Sequence, residues 1–310
     1  MAAPAATEFA AGKAVVNASG SFVPALVVVA LAGAMLSPLW LLLVLPLVLG
    51  VPHVLGDVRV LWLQRPFAIS ARQVAVVAAP LAGMTLLRAL SLAGARTPAA
   101  LEVACGVLAV TVAAALGTNS LAGRRRLVVP AMVVAAVTIA FPRATTLLLA
   151  HAHNLVAFAM FAGIARRHRG VVATIVCYAV AWGVVLAVPG NGTAGDAVGA
   201  FGWSTMTDDL APGLDGAWAD RLVRSFAFAQ AVHYGLWTWA LPRARGTTLR
   251  REIGDRGLVG CLLLCAFLPA IALLDPVATR AGYLSLVVCH GWFELAALAF
   301  VFARRRGGVS

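Results

Sequence analysis

The sequence predicts an all-α integral membrane protein, built as a polytopic bundle of about ten transmembrane helices. Of its residues, 62% are hydrophobic and only 12% are charged, whereas soluble domains usually carry about a quarter charged residues. The mean hydropathy is +0.92. Apolar stretches recur along the 310 residues with short polar gaps between most of them, and this pattern favours one helical bundle over separate soluble domains.

Each predicted crossing is an apolar stretch of about 20 residues, which spans a bilayer at a rise of about 1.5 Å per residue. The first stretch, 21–63, is too long for one crossing, and Ser37-Pro38 supplies the turn that divides it. The eight further crossings are 71–94, 98–122, 126–141, 143–165, 170–188, 219–242, 256–274 and 280–303. We therefore expect a single transmembrane domain, 21–304, between an N-terminal segment, 1–20, and a C-terminal tail, 305–310.

Basic residues follow every second predicted helix, as the positive-inside rule requires of cytoplasmic loops. This alternation predicts that both termini are cytoplasmic, and we expect the protein in the inner, cytoplasmic membrane of a bacterial-type cell. It also explains the net charge of +12 without a nucleic-acid partner. The clusters follow helices two, four, six, eight and ten: Arg65 and Arg72; Arg124 to Arg126; Arg166, Arg167 and Arg169; Arg243, Arg245, Arg250, Arg251 and Arg256; and Arg304 to Arg306.

The connection 189–220 is long and lies on the predicted outer side of the membrane. It is rich in Gly and Asp, and its Phe201, Trp203 and Trp218 suit a membrane interface. A lid over a binding site and a solvated linker with aromatic anchors are both open for this segment. The five cysteines lie in apolar stretches and form no CxxC pair, so neither a disulfide framework nor a redox dithiol is indicated.

Four histidines are predicted to lie at one depth inside the membrane, where ionisable groups usually mark a site. They precede the arginine that ends their helix by 12, 13, 10 and 14 residues, which places them about 15–21 Å from the inner boundary. Because imidazole is a common ligand of iron, zinc and copper, the layer predicts a shared metal or cofactor site. Its members are His53, His153, His233 and His290. His168, within a basic cluster, is interpreted as an interfacial anchor.

His151 is an alternate ligand to His153, because side chains two residues apart on a helix diverge and only one can face a common centre. We favour His153, whose depth matches better. Two carboxylates lie one turn beyond a histidine, Asp57 after His53 and Glu294 after His290. They could orient imidazole, bind metal or move protons, although a salt bridge with Arg59 is the alternative for Asp57. Tyr234, beside His233, is a further candidate catalytic residue.

Several familiar chemistries lack their residues in this chain. There is no HExxH motif and no histidine-box set, and the only lysine is Lys13, which argues against a zinc protease, a diiron desaturase and a retinal-binding rhodopsin. Three classes remain: a metalloenzyme, a haem-binding electron-transfer protein and a proton-coupled transporter. A single layer of histidines favours one metal centre or a close metal pair over two stacked haems.

The segment VLGVPHVLGDVRVL resembles the Gly-x-Pro-His-x-x-x-Asp segment of the Brp/Blh membrane carotenoid oxygenases, with Gly50, Pro52, His53 and Asp57 as the matching residues. FAFAQAVHYGLW is loosely similar to a histidine-bearing helix of that family. The resemblance implies a polytopic enzyme that cleaves β-carotene to retinal at an iron held by histidines.

The sequence thus predicts a non-haem Fe(II) oxygenase that acts on a lipophilic small molecule, carotenoid-like or another lipid. His53, His153, His233 and His290 are the expected metal ligands, and Asp57 and Glu294 support them. Zinc, copper and haem stay open as alternatives to iron, and the substrate and the oligomeric state stay open as well.

Overall fold

The computed structural model describes residues 22–58, 70–118, 121–165, 170–188, 202–214, 216–244 and 248–307. Within these ranges the chain is helical, with no β-strand. The helices are α1 Phe22–Leu36, α2 Pro38–Val58, α3 Ala71–Leu92, α4 Ala99–Gly117, α5 Leu121–Ala140, α6 Pro142–Ala165, α7 Gly170–Ala187, α8 Trp203–Leu210, α9 Gly216–Gly235, α10 Leu241–Ala244, α11 Leu249–Ala272 and α12 Pro276–Gly307. A π-helical segment, Leu236–Ala240, joins α9 to α10.

Among the described residues, five helices are long and apolar enough to cross a membrane: Pro38–Gly56, Ala71–Leu92, Ala99–Gly117, Ile253–Ala272 and Pro276–Arg304. The bent pair of α5 and α6 adds a sixth span if it is taken as one. These helices indicate an integral membrane protein. Each of the ten predicted stretches overlaps a helix, but α1 and the apolar part of α7 are short, so the ten crossings remain a prediction.

Contacts between Cα atoms divide the chain into two compact units. Unit 1 comprises the chain up to Gly56 together with Asn154–Arg280, and unit 2 comprises Asp57–His153 together with the chain from Ala281. The divisions fall inside α2, α6 and α12, so each of these helices contributes residues to both units. The sequence predicts a single transmembrane domain, 21–304.

Proline and capping residues set several helix starts. Pro38, Pro142 and Pro276 are the first residues of α2, α6 and α12, where the missing N–H of proline costs no helical hydrogen bond. Ser70 forms a capping box with Gln73 at the start of α3. The predicted turn at Ser37-Pro38 therefore coincides with the observed junction of α1 and α2.

The chain bends by 107° between the apolar parts of α5 and α6. Phe141 lies at the break, and its backbone N–H still donates to the carbonyl of Val137 at 3.0 Å. Pro142 follows, and a residue before proline disfavours the helical conformation. The Thr145 hydroxyl donates to the carbonyl of Thr138 at 3.2 Å, which ties the two helices across the bend.

In unit 2, α4 packs against both α3 and α5. Arg88 on α3 forms an ion pair with Glu102 on α4, with Nε and Oε2 2.7 Å apart. The ring of Trp292 from α12 lies against Gly106 on α4. A Cβ atom added at position 106 would overlap that ring. Small residues permit such close helix contacts in membranes.

In unit 1, α9 packs against α7 and α8, and every residue from Val223 to Gly235 is buried. Asp220 and Arg224, one turn apart on this helix, form a buried ion pair. Arg224 also donates from Nη2 to the carbonyl of Val188 at 2.9 Å. The helix α8 lies in the predicted outer loop and was not expected from the sequence; its Met206 and Leu210 are buried.

Candidate functional site

The four predicted histidine ligands occur as two ring-contacting pairs, one in each unit. His53 on α2 contacts His233 on α9, both in unit 1. His153 on α6 contacts His290 on α12, both in unit 2. In each pair the partners are more than a hundred residues apart in sequence, so tertiary packing brings them together and local sequence does not.

The unit 1 pair lies in a fully enclosed environment. His53 and His233 both have no exposed surface, and their ring centroids are 5.2 Å apart at an interplanar angle of 77°. His53 stands in the second half of α2, after Pro46 and directly after Pro52. Because α9 is buried over its whole C-terminal half, the imidazole of His233 is shielded together with its neighbours.

Tyr234 adds a phenol to the unit 1 pair. Its ring centroid is 4.5 Å from that of His53, and its hydroxyl accepts a hydrogen bond from Nε2 of Gln230 at 3.3 Å. The Thr238 hydroxyl donates to its backbone carbonyl at 2.7 Å. The π-helical segment begins two residues after Tyr234, and such segments are frequent at functional sites.

In the unit 2 pair, the backbone holds one ring nitrogen of each histidine. The centroids of His153 and His290 are 5.0 Å apart at 87°. Nδ1 of His153 lies 3.0 Å from the carbonyl oxygen of Ala150, and Nδ1 of His290 lies 2.6 Å from that of Val287. A carbonyl only accepts, so each Nδ1 carries the proton and each neutral ring presents the lone pair on Nε2. Hydrogen bonds of this kind are typical of metal-ligating histidines.

The other predicted site residues are placed as follows. Glu294, one turn after His290 on α12, has no exposed surface. His151 is half-buried on α6. Asp57 belongs to the last turn of α2, and its side chain falls outside the described part of the chain. His168 falls outside the described residues altogether.

Unit 2 also contains an apolar cavity of about 440 Å³ whose wall includes His153. Residues from α4, α5, α6 and α12 line it, and His153 is the one titratable side chain among the lining residues that the structure describes. Sequence reasoning did not find this cavity, because its wall is built from alanine, valine, leucine and threonine on separate helices. The nearest sequence signal is Gly106, which makes room for the cavity residue Trp292.

No family model, no curated protein and no solved structure matches this chain.

Proposed function

We propose that the chain is an integral membrane metalloprotein, a non-haem iron oxygenase that acts on a lipophilic substrate. Its imidazole ligands are His53, His153, His233 and His290, and Glu294 and Asp57 support them. The observation that carries the proposal is the pairing of imidazoles: within each unit, two helices far apart in sequence bring two histidine rings into contact.

The spacing of the rings supports ligation of a metal by two neighbouring imidazoles. With a metal–nitrogen distance of about 2.0–2.1 Å, the ring centroid lies roughly 3.2 Å from the ion, so two tetrahedral ligands have centroids roughly 5 Å apart. The pairs measure 5.2 and 5.0 Å. Packed aromatic rings have similar spacings, and for that reason metal analysis is the deciding experiment.

The same spacing argues against a haem with either pair as its two axial ligands. Imidazoles on opposite faces of a haem iron would have centroids roughly 6 Å apart, and the porphyrin would separate the rings. Here the rings touch at near-right angles. Neighbouring positions on one ion fit this arrangement better than opposite ones.

Neutral imidazole ligands suit Fe(II) oxygen chemistry on an apolar substrate. Neutral imidazole ligands do not cancel the positive charge of the iron. Nearby carboxylates that hydrogen-bond to the imidazoles do not fill every coordination position, so positions for O2 remain. Bound Fe(II) would supply the activation of O2. If the reaction is cleavage of a carbon–carbon double bond, both oxygen atoms enter the two carbonyl products and no external reductant is consumed.

We also propose that the chain crosses the membrane ten times, with both termini cytoplasmic, in a bacterial-type inner membrane. The support is the regular alternation of arginine clusters, since a missed crossing would move the later clusters to the opposite side. On this topology, α2, α6, α9 with α10, and α12 run in the same direction. Their histidines then share one depth.

Elemental analysis of the detergent-purified chain tests the metal proposal. We expect bound iron in the wild-type protein, strongly reduced iron in His53→Ala and His290→Ala, and unchanged iron in the control His168→Ala. The number of ions per chain then tests the single centre that the common histidine depth predicts. A protein without iron, or with the same iron in all variants, would contradict the proposal, and a Soret band would select haem instead.

Oxygen incorporation tests the reaction class. The Fe(II)-loaded protein in lipid vesicles, supplied with β-carotene and ¹⁸O2, should release carbonyl products that carry the label, as detected by mass spectrometry. The same assay with a total lipid extract covers substrates outside the carotenoids. Unlabelled products, or substrate flux across the vesicle without turnover, would point to another class, the latter to a transporter.

A further inference from the structure

The cavity in unit 2 has a wall with almost no polar character. Most of its lining residues are aliphatic, including Val107 and Ala114 on α4 and Leu149 on α6. Two of its threonines donate their hydroxyls to backbone carbonyls: Thr138 donates to the carbonyl of Val134 at 2.8 Å, and Thr145 donates to that of Thr138 at 3.2 Å. An ionic or strongly hydrated ligand would lose its water here without compensation.

The cavity extends from the interior of unit 2 to its surface. Val107 and Trp292 in the wall are buried, whereas Val134 and Leu148 are 55% and 70% exposed. In a membrane, exposed aliphatic side chains of this kind contact lipid chains. An apolar molecule dissolved in the bilayer can therefore reach the cavity sideways, without crossing water.

One member of the unit 2 histidine pair, His153, forms part of the cavity wall. His153 and Trp292 are the aromatic side chains among the described lining residues, and Nδ1 of His153 is held by the carbonyls of Leu149 and Ala150. A molecule in this cavity therefore lies against the proposed ligand histidine. The volume of about 440 Å³ falls within the range of about 300–1,000 Å³ that small-molecule sites occupy.

We propose that this cavity binds the hydrocarbon chain of a lipid-soluble ligand, which enters between Val134 and Leu148 and lies with one part against His153. The assignment of the bound hydrocarbon chain to a substrate rests on the proposed function. Binding of the hydrocarbon chain itself does not require a metal. Because lipid chains are as apolar as the wall, selectivity comes from packing in the cavity and not from a hydrophobic driving force.

Photo-crosslinking of the full-length chain in lipid nanodiscs tests this site. One arm uses a palmitic acid analogue with a diazirine in its chain, and the other uses a farnesol analogue with the same group, so that acyl and isoprenoid sources of the chain are compared. We expect labelled peptides from α4, α5 and α6 around the cavity, identified by mass spectrometry. Whichever probe labels them more strongly identifies the preferred chain.

Two alanine-to-phenylalanine substitutions on α4 provide the control. Ala114 lines the cavity, whereas Ala115, half-buried on the same helix, does not. Filling the cavity in Ala114→Phe should lower the labelling of the cavity peptides at least about fivefold, as expected for an overpacked site, and Ala115→Phe should leave it unchanged. If Ala114→Phe does not give a monodisperse protein, Ala131→Phe fills the same cavity from α5.

Different results would contradict the proposed metal site and the proposed binding site for a hydrocarbon chain. Labelling that is spread evenly over the lipid-facing helices, or that is equal in all variants, overturns the binding site even if iron is present. Cavity labelling that persists in a protein without iron keeps the binding site and removes the oxygenase. In His153→Ala we expect iron to be lost and cavity labelling to remain.

Discussion

At the scale of single residues, the two histidines of the HAH sequence on α6 can be separated by experiment. The His153 ring contacts His290 and has its Nδ1 proton held by the backbone, whereas His151 points from a different side of the helix. We expect His153→Ala to lose bound iron and His151→Ala to retain it, as measured by elemental analysis. The reverse result would assign the ligand to His151.

Glu294 is the second residue whose role can be tested alone. Its carboxyl is fully buried one turn beyond His290, where a carboxylate can orient an imidazole ligand or balance the charge of a metal. We expect Glu294→Gln, which keeps the size of the side chain, to weaken iron binding about 10–100-fold in a chelator competition. Glu102→Gln, which alters a carboxyl paired with Arg88, is the control, and equal affinities in both variants would exclude Glu294 from the site.

The sequence alone identified the histidines but not their contacts. Intramembrane position and helix direction are predictions from hydropathy and arginine placement, and these are one-dimensional signals. The ring contact of His53 with Tyr234 and the backbone hydrogen bonds of His153 and His290 depend on rotamers and packing, which no spacing encodes. The ion pair of Asp220 with Arg224 could have been found, because opposite charges at i, i+4 in an apolar stretch are a readable pattern.

At the scale of helices, the close contact between Gly106 on α4 and Trp292 predicts that a larger residue at position 106 destabilises the packing. A methyl group there would overlap the ring of Trp292, whereas at Gly83 on α3 it would meet only the Cys105 sulfur at an ordinary 3.8 Å. We expect Gly106→Ala to destabilise unit 2 by about 1–3 kcal/mol through overpacking and Gly83→Ala to have little effect. Thermal unfolding in detergent measures both; equal midpoints would show that the Trp292 contact adapts without cost.

The bend at Phe141 decides how many times this part of the chain crosses the membrane. Two crossings would put the bend on the outer side, opposite the cluster Arg124 to Arg126, whereas a re-entrant loop would leave the bend inside the membrane. Phe141 is 63% exposed, and we expect Phe141→Cys to react with a membrane-impermeant maleimide added outside intact cells. Leu148→Cys, within the apolar part of α6, is the unreactive control. Labelling of the Phe141→Cys protein only after the cells are opened would contradict two crossings.

Among the helices, the predicted starts of α3 and α7, at 71 and 170, agree with the structure, whereas α12 begins at Pro276, four residues before the predicted start at 280. The Ser37-Pro38 junction and the start of α3 after Ser70 follow from proline and capping chemistry. The helix α8 was missed because its eight residues, WSTMTDDL, are mostly polar and lie between glycine-rich segments. The π-helical segment has no established sequence signature, since it arises from an extra residue in an otherwise regular turn.

At the scale of the whole molecule, the sequence predicts the fold class, but the division into two units was not visible in it. Composition and hydropathy suffice for a helical membrane protein because the bilayer leaves few alternatives for the backbone. The division falls inside α2, α6 and α12, and continuous apolar helices give no boundary signal of the kind that a polar linker provides. The cavity was not predicted either, because its wall is formed by residues from four different helices.

The ion pair of Asp220 with Arg224 has a consequence for how the chain is made. On the insertion scale, aspartate and arginine cost about 2.5–3.5 kcal/mol each at a helix centre. Asp220 and Arg224 lie in the first half of α9, where the cost is smaller but still lowers insertion of the isolated segment by the translocon. The partners of Arg224, Met35 and the carbonyl of Val188, are synthesised earlier. We expect a glycosylation-mapping assay to show that α9 inserts only when the preceding helices are present, and that Asp220→Leu with Arg224→Leu removes this dependence. Efficient insertion of the isolated wild-type segment would disprove it. Biosynthesis of the chain is then ordered, because the earlier helices must be in the bilayer before α9 can join them.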